Sequence, residues 1–378
     1  MARLRAWYSF VLGSVSVLIT LLVVEAAGRV FLAIWPSYDV LFLQPERTVG
    51  WTQVPHMEWI WAGVNWYAKD YSTRIRTNSL GFRDLERSPA KPEGTVRVAL
   101  LGDSFVEAIQ VPLEKTAGQL LEAHLNATGQ PPRYEVLNFG ISNYGVGQYL
   151  LTWERFASAF DPDYVVVLVG GYQLQRTVSE YEIGRFHHSS QRALWIRPTF
   201  RLQDGRLVRE PAADYEAFVA AQRALIAREF GGSRVRRRET SVLGHLAKTR
   251  WTRHAAMGKT LAAPSAPAPG AGAPDAGPPL AVNLRILEEL ARQVEERGGR
   301  MVLADGGSYF GTPSESSEAL KRLCNEHEIG YVPLGNRLLE AHRAGRATRW
   351  AHDGHFNEAG NQVFAASLSE WMAEHVAR

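Results

Sequence analysis

One cysteine, Cys324, stands in 378 residues. A single thiol excludes an intramolecular disulfide framework and any Cys-x-x-Cys metal site, and its simplest reading is a small apolar residue packed on a helix. No Walker A motif, no Gly-x-Gly-x-x-Gly fingerprint and no His-Glu-x-x-His run occurs, so phosphate-loop, dinucleotide and zincin chemistry have no sequence support. No cofactor and no metal is called for. Charge of one sign is also missing: 42 Lys and Arg face 39 Asp and Glu, a net of +3. With no global field, nucleic acid is not an expected partner. Apolar residues make up 46% and charged residues 21%, an ordinary globular balance.

The first uncharged run, Ser9 to Val24, resumes its apolar character around Glu25 and Arg29 as far as Trp35. A spanning helix needs about 20 mainly apolar residues. Glu25 and Arg29 stand four apart and can pair on one helix face. Trp7, Tyr8 and Trp35 sit where aromatic residues favour an interface, and Arg3 and Arg5 precede the span. Residues 1–35 are therefore expected to form a membrane anchor, entering the membrane through 9–35. The N-terminus would be cytoplasmic and the rest extracytoplasmic. The competing reading is a cleaved signal peptide, but no small-x-small site follows a short apolar core.

Residues 36–94 form an aromatic-rich lead-in with Trp51, Trp59, Trp61, Trp66, Tyr67 and Tyr71. These rings read as packing; a carbohydrate platform is the alternative. Alternation at Thr73, Ile75 and Thr77 predicts a short strand or hairpin. From residue 95 the texture becomes strand, helix, strand, helix, strand: VRVALLGDSF, KTAGQLLEAHL, YEVLNFG, GQYLLTWERFASAF, DYVVVLVGG. The continuously apolar runs predict buried parallel strands in an open α/β sheet. Alternation stops over 176–280, which reads as an insertion. It holds a hairpin around Asp204-Gly205, a helix from Tyr215 to Phe230, and a basic stretch over 223–259 with ten Lys and Arg against two Glu. The Pro/Ala/Gly segment over 263–279 cannot build a core. The basic stretch reads as a solvated surface, with acidic polysaccharide or anionic lipid as alternative partners. Over 281–378 the pattern returns: a helix at Leu284–Arg297, the strand RMVLADGG, a helix over SEALKRLCNEHEI, the short strand YVPLG, and a last helix burying Phe364, Leu368 and Met372. One domain is thus expected in two parts, 95–175 and 281–378.

Gly102-Asp103-Ser104 falls where the first buried strand ends, the place where open α/β sheets bind ligands. A serine there is a nucleophile if a base reaches it. Asp353-Gly354-His355 lies just ahead of the last helix. A histidine oriented by a nearby carboxylate can act as that base. His352 is a second, weaker base candidate that otherwise reads as a loop residue. Asp305-Gly306-Gly307 is expected at the rim of the same cleft.

These residues, with NSLGFRD at 78–84, resemble the SGNH/GDSL hydrolase superfamily and its membrane-anchored bacterial branch, over 96–172 and 282–376. The resemblance implies a flavodoxin-like three-layer α/β/α sandwich with a parallel sheet (the SGNH hydrolase fold), preceded by one transmembrane helix. It implies Ser104 as nucleophile, His355 as base and Asp353 as the acid that orients it. The Asp-x-His spacing resembles the branch that O-acetylates exopolysaccharides such as alginate. Candidate oxyanion donors are Asn143, at the family's usual glycine position in VLNFGISNYG, with Gly140 nearby, and Tyr172, where the family usually has Asn, with Gln173 next to it. The implied function is an extracytoplasmic serine esterase that hydrolyses or transfers an acyl or acetyl group through an acyl-serine intermediate. Its partner would be an ester-bearing small molecule, lipid or polysaccharide. An O-acyltransferase of envelope polysaccharide, and a non-catalytic binding or assembly component of polysaccharide export, are the alternatives.

Overall fold

The computed structural model describes residues 2–34, 38–62, 70–185, 192–212, 214–237, 241, 243 and 279–375. Trp66, Tyr67, most of the basic stretch beyond Arg237 and nearly all of the Pro/Ala/Gly segment lie outside them. Helix α1 (Ala2–Ile34) contains Trp7–Phe31, a stretch long and apolar enough to cross a membrane, and its large side chains are exposed. Glu25 and Arg29 pair on it at 2.8 Å.

The lead-in folds as small antiparallel pairs. Strand β1 (Tyr38–Val40) is followed by the pair β2 (Leu43–Glu46) and β3 (Gly50–Gln53), then by β4 (Glu58–Ala62) and β5 (Ser72–Arg76), which pair with each other. Alternation in β5 buries Thr73 and Ile75 and leaves its arginines out, as a period of two requires.

The central unit begins with β6 (Thr95–Leu101), α2 (Ser104–Glu107), α3 (Ala117–Leu125), β7 (Arg133–Asn138), α4 (Val146–Arg155), β8 (Tyr164–Val169) and α5 (Gly171–Arg176). The expected second helix is shorter than its apolar pattern: α4 ends at Arg155, and Phe156 breaks it before a 3-10 turn over Ala157–Phe160. The insertion supplies hairpins β9 (Tyr181–Arg185) with β10 (Arg192–Ile196) and β11 (Thr199–Gln203) with β12 (Arg206–Glu210). Asp204 and Gly205 turn the second hairpin at positive φ, as a two-residue loop demands. Helix α6 (Tyr215–Phe230) follows, and then β13 (Val235–Arg237), which pairs back onto β1. The unit resumes with α7 (Pro279–Glu295), β14 (Arg300–Asp305), α8 (Ser314–Glu326), β15 (Gly330–Val332), α9 (Leu334–Arg343) and α10 (Glu358–His375). The sequence pattern does not show α9, because its first residues, Leu334 and Gly335, continue the YVPLG run expected as a strand.

Five parallel strands form one sheet in the order β15-β14-β8-β6-β7. Each inner strand is apolar on both faces because both are covered. On one face Ala99, Leu101, Val165, Val167 and Leu303 meet Leu150 and Trp153 of α4 and Ile286, Leu287 and Leu290 of α7. On the other, Val98, Leu100, Val166, Leu168 and Val302 meet Leu121 of α3, Leu338 of α9 and Phe364 and Leu368 of α10. This is a three-layer α/β/α sandwich. Cys324 is buried in α8 within the first of these cores. Arg97, a charge inside β6, is fully buried. Its guanidinium meets the Glu135 carboxylate and the carbonyls of Ser88, Pro89, Ala90 and Phe160, which removes the cost of an unpaired buried cation.

Chain order places the site. From β6 the chain steps to β7 on one side, then crosses back to β8 on the other and continues outward through β14 to β15. The connections after β6 and β8 therefore diverge, and a crevice opens at their carboxyl ends. Ser104 follows β6 there, and α5 follows β8.

Candidate active site

Asp103 caps α2 through a bond from the Phe105 N–H, so Ser104 is the first residue of that helix. The hydroxyl of Ser104 lies 2.8 Å from His355 Nε2. Nδ1 of the same ring bonds Asp353 Oδ1, and that oxygen also accepts the His355 backbone N–H at 3.2 Å. A carboxylate at Nδ1 keeps the proton there and leaves Nε2 as the acceptor facing Ser104. The two-residue Asp-x-His spacing works because Gly354 takes φ +83°, which folds the loop so that Asp353 reaches both N–H groups of His355. Phe105 sits 5.1 Å from the His355 ring and packs on Phe310 and Phe356, a floor that holds the imidazole.

Asp353 has a second partner. Its Oδ2 accepts the Tyr71 hydroxyl at 2.5 Å. Burial alone would raise the Asp353 pKa. The hydrogen bond and charge of His355, with the Tyr71 hydroxyl, outweigh it and hold the carboxyl below its ordinary value. Burial, then the Asp353 charge, pushes the Tyr71 phenol upward, so it stays a donor. His352 takes another course: its Nδ1 lies 2.8 Å from Asp70 Oδ1, and its ring is half exposed. Among the described residues only His355 is brought to Ser104.

The oxyanion candidates separate. Asn143 takes φ +66°, the left-handed conformation that glycine adopts freely and asparagine tolerates. Its own N–H belongs to the peptide whose carbonyl, Ser142 O, accepts Trp51 Nε1 at 3.1 Å. A planar trans peptide points its N–H opposite its carbonyl, so Trp51 aims the Asn143 N–H. Arg197, from the insertion, holds the Asn143 carbonyl at 3.3 Å. Neither the Ser104 N–H nor the Asn143 N–H carries a hydrogen bond among the described residues.

Gly140 and Gln173 have other work. The Gly140 N–H donates to Asn138 Oδ1 at 2.9 Å, and a Cβ on this residue would lie 2.4 Å from the Glu107 nitrogen. The glycine is therefore needed for close packing against α2, and its donor is taken. Gln173, fully buried, donates its amide to Asp103 Oδ2 at 2.8 Å, beside Arg176 at 2.9 Å. Two donors on the capping carboxylate make Gln173 a brace for the Ser104 turn. The side chain of Tyr172 lies outside the described residues.

Further residues support the site, and Glu107 among them had no sequence signal. Glu107, three residues past Ser104, is fully buried and accepts Ser142 Oγ and Gln53 Nε2, tying α2 to the Asn143 loop and to the lead-in. Burial pushes its pKa up to about 7. Arg83, in NSLGFRD, donates to the carbonyls of Glu107, Ala108 and Val111 and so closes the C-terminal end of α2. Asp84, next to it, accepts the Asn138 N–H at 2.9 Å. Asp305 ends β14, accepting Tyr331 OH and the Gly307 N–H. No group of three or more His, Cys, Asp or Glu among the described residues is arranged to hold a metal ion.

A family model described as the GDSL-like lipase/acylhydrolase family matches residues 100–363. Among solved structures, the chain is similar to LAE5, an alpha/beta hydrolase enzyme from the metagenome of Lake Arreo, with 13% identity over 74% of this chain and 95% of that one, at a TM-score of 0.40. It is similar to a member of the lipolytic G-D-S-L family from Veillonella parvula, with 12% identity, coverage of 75% and 99%, and a TM-score of 0.39. A catalytic mutant of Axe2, an acetylxylan esterase from Geobacillus stearothermophilus, gives 13% identity, coverage of 73% and 94%, and a TM-score of 0.40. No curated protein matches the chain.

Proposed function

The chain belongs to the GDSL-like lipase/acylhydrolase family, whose model spans residues 100–363, and on that premise we propose that it is a serine esterase working through an acyl-Ser104 intermediate. The observation that carries the reading is the continuous relay from Ser104 Oγ through His355 to Asp353. His355 Nε2 takes the hydroxyl proton as Ser104 Oγ attacks the ester carbonyl carbon. The oxyanion of the tetrahedral intermediate meets the N–H groups of Ser104 and Asn143. His355 returns the proton to the leaving alkoxide, and the acyl group stays on Ser104. A second hydroxyl then attacks the acyl carbon, again giving its proton to His355; the acyl–Oγ bond breaks, and His355 passes that proton to Ser104 Oγ, which restores both groups. Each oxyanion donor supplies about 3 to 4 kcal/mol of transition-state stabilisation.

Water as the second hydroxyl makes the protein an esterase; a sugar hydroxyl makes it an O-acyltransferase. The Asp353-x-His355 spacing favours keeping the transfer reading. Mass analysis of products from an acetyl donor, with and without an oligosaccharide acceptor, distinguishes them. Acetate alone in the presence of acceptor eliminates transfer.

Ser104→Ala is expected to abolish turnover of a small acetyl ester, and capture by a fluorophosphonate probe, in a folded chain. Unchanged turnover removes Ser104 from the mechanism. The same reading places the catalytic unit outside the cytoplasm, supported by the 25-residue span Trp7–Phe31 behind Arg3 and Arg5. An exposed thiol introduced at Ser79 should react with an impermeant maleimide on intact spheroplasts. Reaction only after lysis refutes that topology.

A further inference from the structure

The base loop is held by a part of the chain outside the matched family region. Asp70 and Tyr71 are consecutive, just before β5, and they meet consecutive residues of the base loop. Asp70 accepts the His352 N–H at 2.7 Å and its Nδ1 at 2.8 Å, and Tyr71 donates to Asp353 at 2.5 Å. The Tyr71 grip is protected, whereas the Asp70 grip meets a half-exposed His352. Tyr71 is 6% exposed, its ring lies 5.4 Å from that of Trp350, and the Asp70 side chain is 13% exposed.

We propose that Asp70 and Tyr71 act as positioning residues, a two-point clamp that orients Asp353 and His355 toward Ser104, so that the lead-in completes the catalytic site. The inference rests on the Ser104–His355–Asp353 reading above. Its physical basis is the set of donors around one carboxylate. Asp353 Oδ1 faces the two N–H groups of His355, and Oδ2 would be free to swing without Tyr71. With the phenol in place, the carboxylate plane has a donor at each oxygen, and the imidazole it holds inherits that orientation. The Tyr71 hydroxyl also draws off part of the Asp353 charge. Asp70 and Asp353 are the acidic groups that face the phenol, the Trp61 indole of β4 lies beside it, and the two histidines of the base loop lie behind the carboxylates.

The sign of the effect follows. Removing the phenol leaves more negative charge on Asp353 oxygens, which favours the protonated imidazole. Activity that needs neutral His355 is then lost at a higher pH. In the full chain in detergent, Tyr71→Phe is expected to lower kcat for p-nitrophenyl acetate about ten- to a hundredfold, the range of one hydrogen bond to a charged group. KM should be unchanged, and the acid limb of kcat/KM should move to higher pH. A purely structural tyrosine would lower the melting temperature and scale the rate with the folded fraction, leaving the limb in place. An unmoved limb in folded Tyr71→Phe overturns the proposal. Asp70→Asn loosens the other grip and carries the test if Tyr71→Phe does not fold. It should slow fluorophosphonate capture about two- to tenfold, and an unchanged capture rate overturns the clamp. Ser104→Ala keeps the two claims apart: turnover surviving in that variant strikes the serine mechanism itself, whereas an inactive Ser104→Ala beside an unaltered Tyr71→Phe strikes only the clamp.

Discussion

Replacing Glu107 by Gln tests how the nucleophile helix is built. Glu107 is fully buried, and burial lifts its carboxyl from 4.5 to about 7 against the opposing bonds from Ser142 and Gln53 and the charge of Arg83. Between those two values the folded chain holds a proton that the unfolded chain has released. Stability therefore falls as pH rises from about 4.5 and levels off above about 7, the reverse of an ordinary salt-bridged carboxylate. At 1.36 kcal/mol per unit, this one group costs the folded state about 3 kcal/mol at alkaline pH, most of which appears between pH 5 and pH 8. Glutamine is nearly isosteric: its oxygen accepts from Gln53 and its amide donates to Ser142 Oγ, and the bond it forgoes from the Ser142 N–H costs the same at both pH values. Denaturation of the full chain in detergent, followed by tryptophan fluorescence at the two pH values, measures the difference. Asp84 is also buried and raised to about 7, so the parent chain carries a second contribution of the same sign. Subtracting variant from parent isolates Glu107. The variant should lose about 2 to 3 kcal/mol less than the parent across that interval. An identical loss in both would show that Glu107 does not hold the proton and that the burial argument is wrong.

Two further outcomes are expected. Gly140→Ala places a methyl 2.4 Å from the Glu107 nitrogen and 2.8 Å from the Val106 carbonyl carbon, so backbone must move, at a cost of about 1 to 3 kcal/mol seen as a lower melting temperature. An unchanged melting temperature would mean that α2 and the Asn138–Asn143 loop are not in close contact. His355→Ala should abolish fluorophosphonate capture at Ser104, whereas His352→Ala should only slow it through the loosened clamp. The opposite ranking would make His352 the base.

The architecture is largely written in local pattern. Apolar runs such as Val165–Val169 have no polar face to offer water, so they become inner strands covered on both sides. The stripe Leu287, Leu290 and Val294 has one face to bury, so it becomes a helix on the sheet. Ser104, His355 and Asp353 were legible for a related reason: a strand-end serine and a loop histidine with a carboxylate two residues away are short-range patterns, and family resemblance joined them. The Leu334–Arg343 helix was hidden because its first residues continue the apolar run of β15.

What tertiary structure decided is where donors point. Nothing local distinguishes Gly140, whose N–H is spent on Asn138, from Asn143, whose peptide is turned by Trp51. Gln173 reads as a free amide until Asp103 is seen to take it. Tyr71 reads as one more packing ring, yet it meets Asp353 across 282 residues of chain. Hydrogen bonds of this kind depend on the relative placement of segments that no periodicity relates. The sequence by itself determines which residues can be buried or can react. Only the assembled fold determines which of their N–H and O–H groups are already engaged and which remain for chemistry.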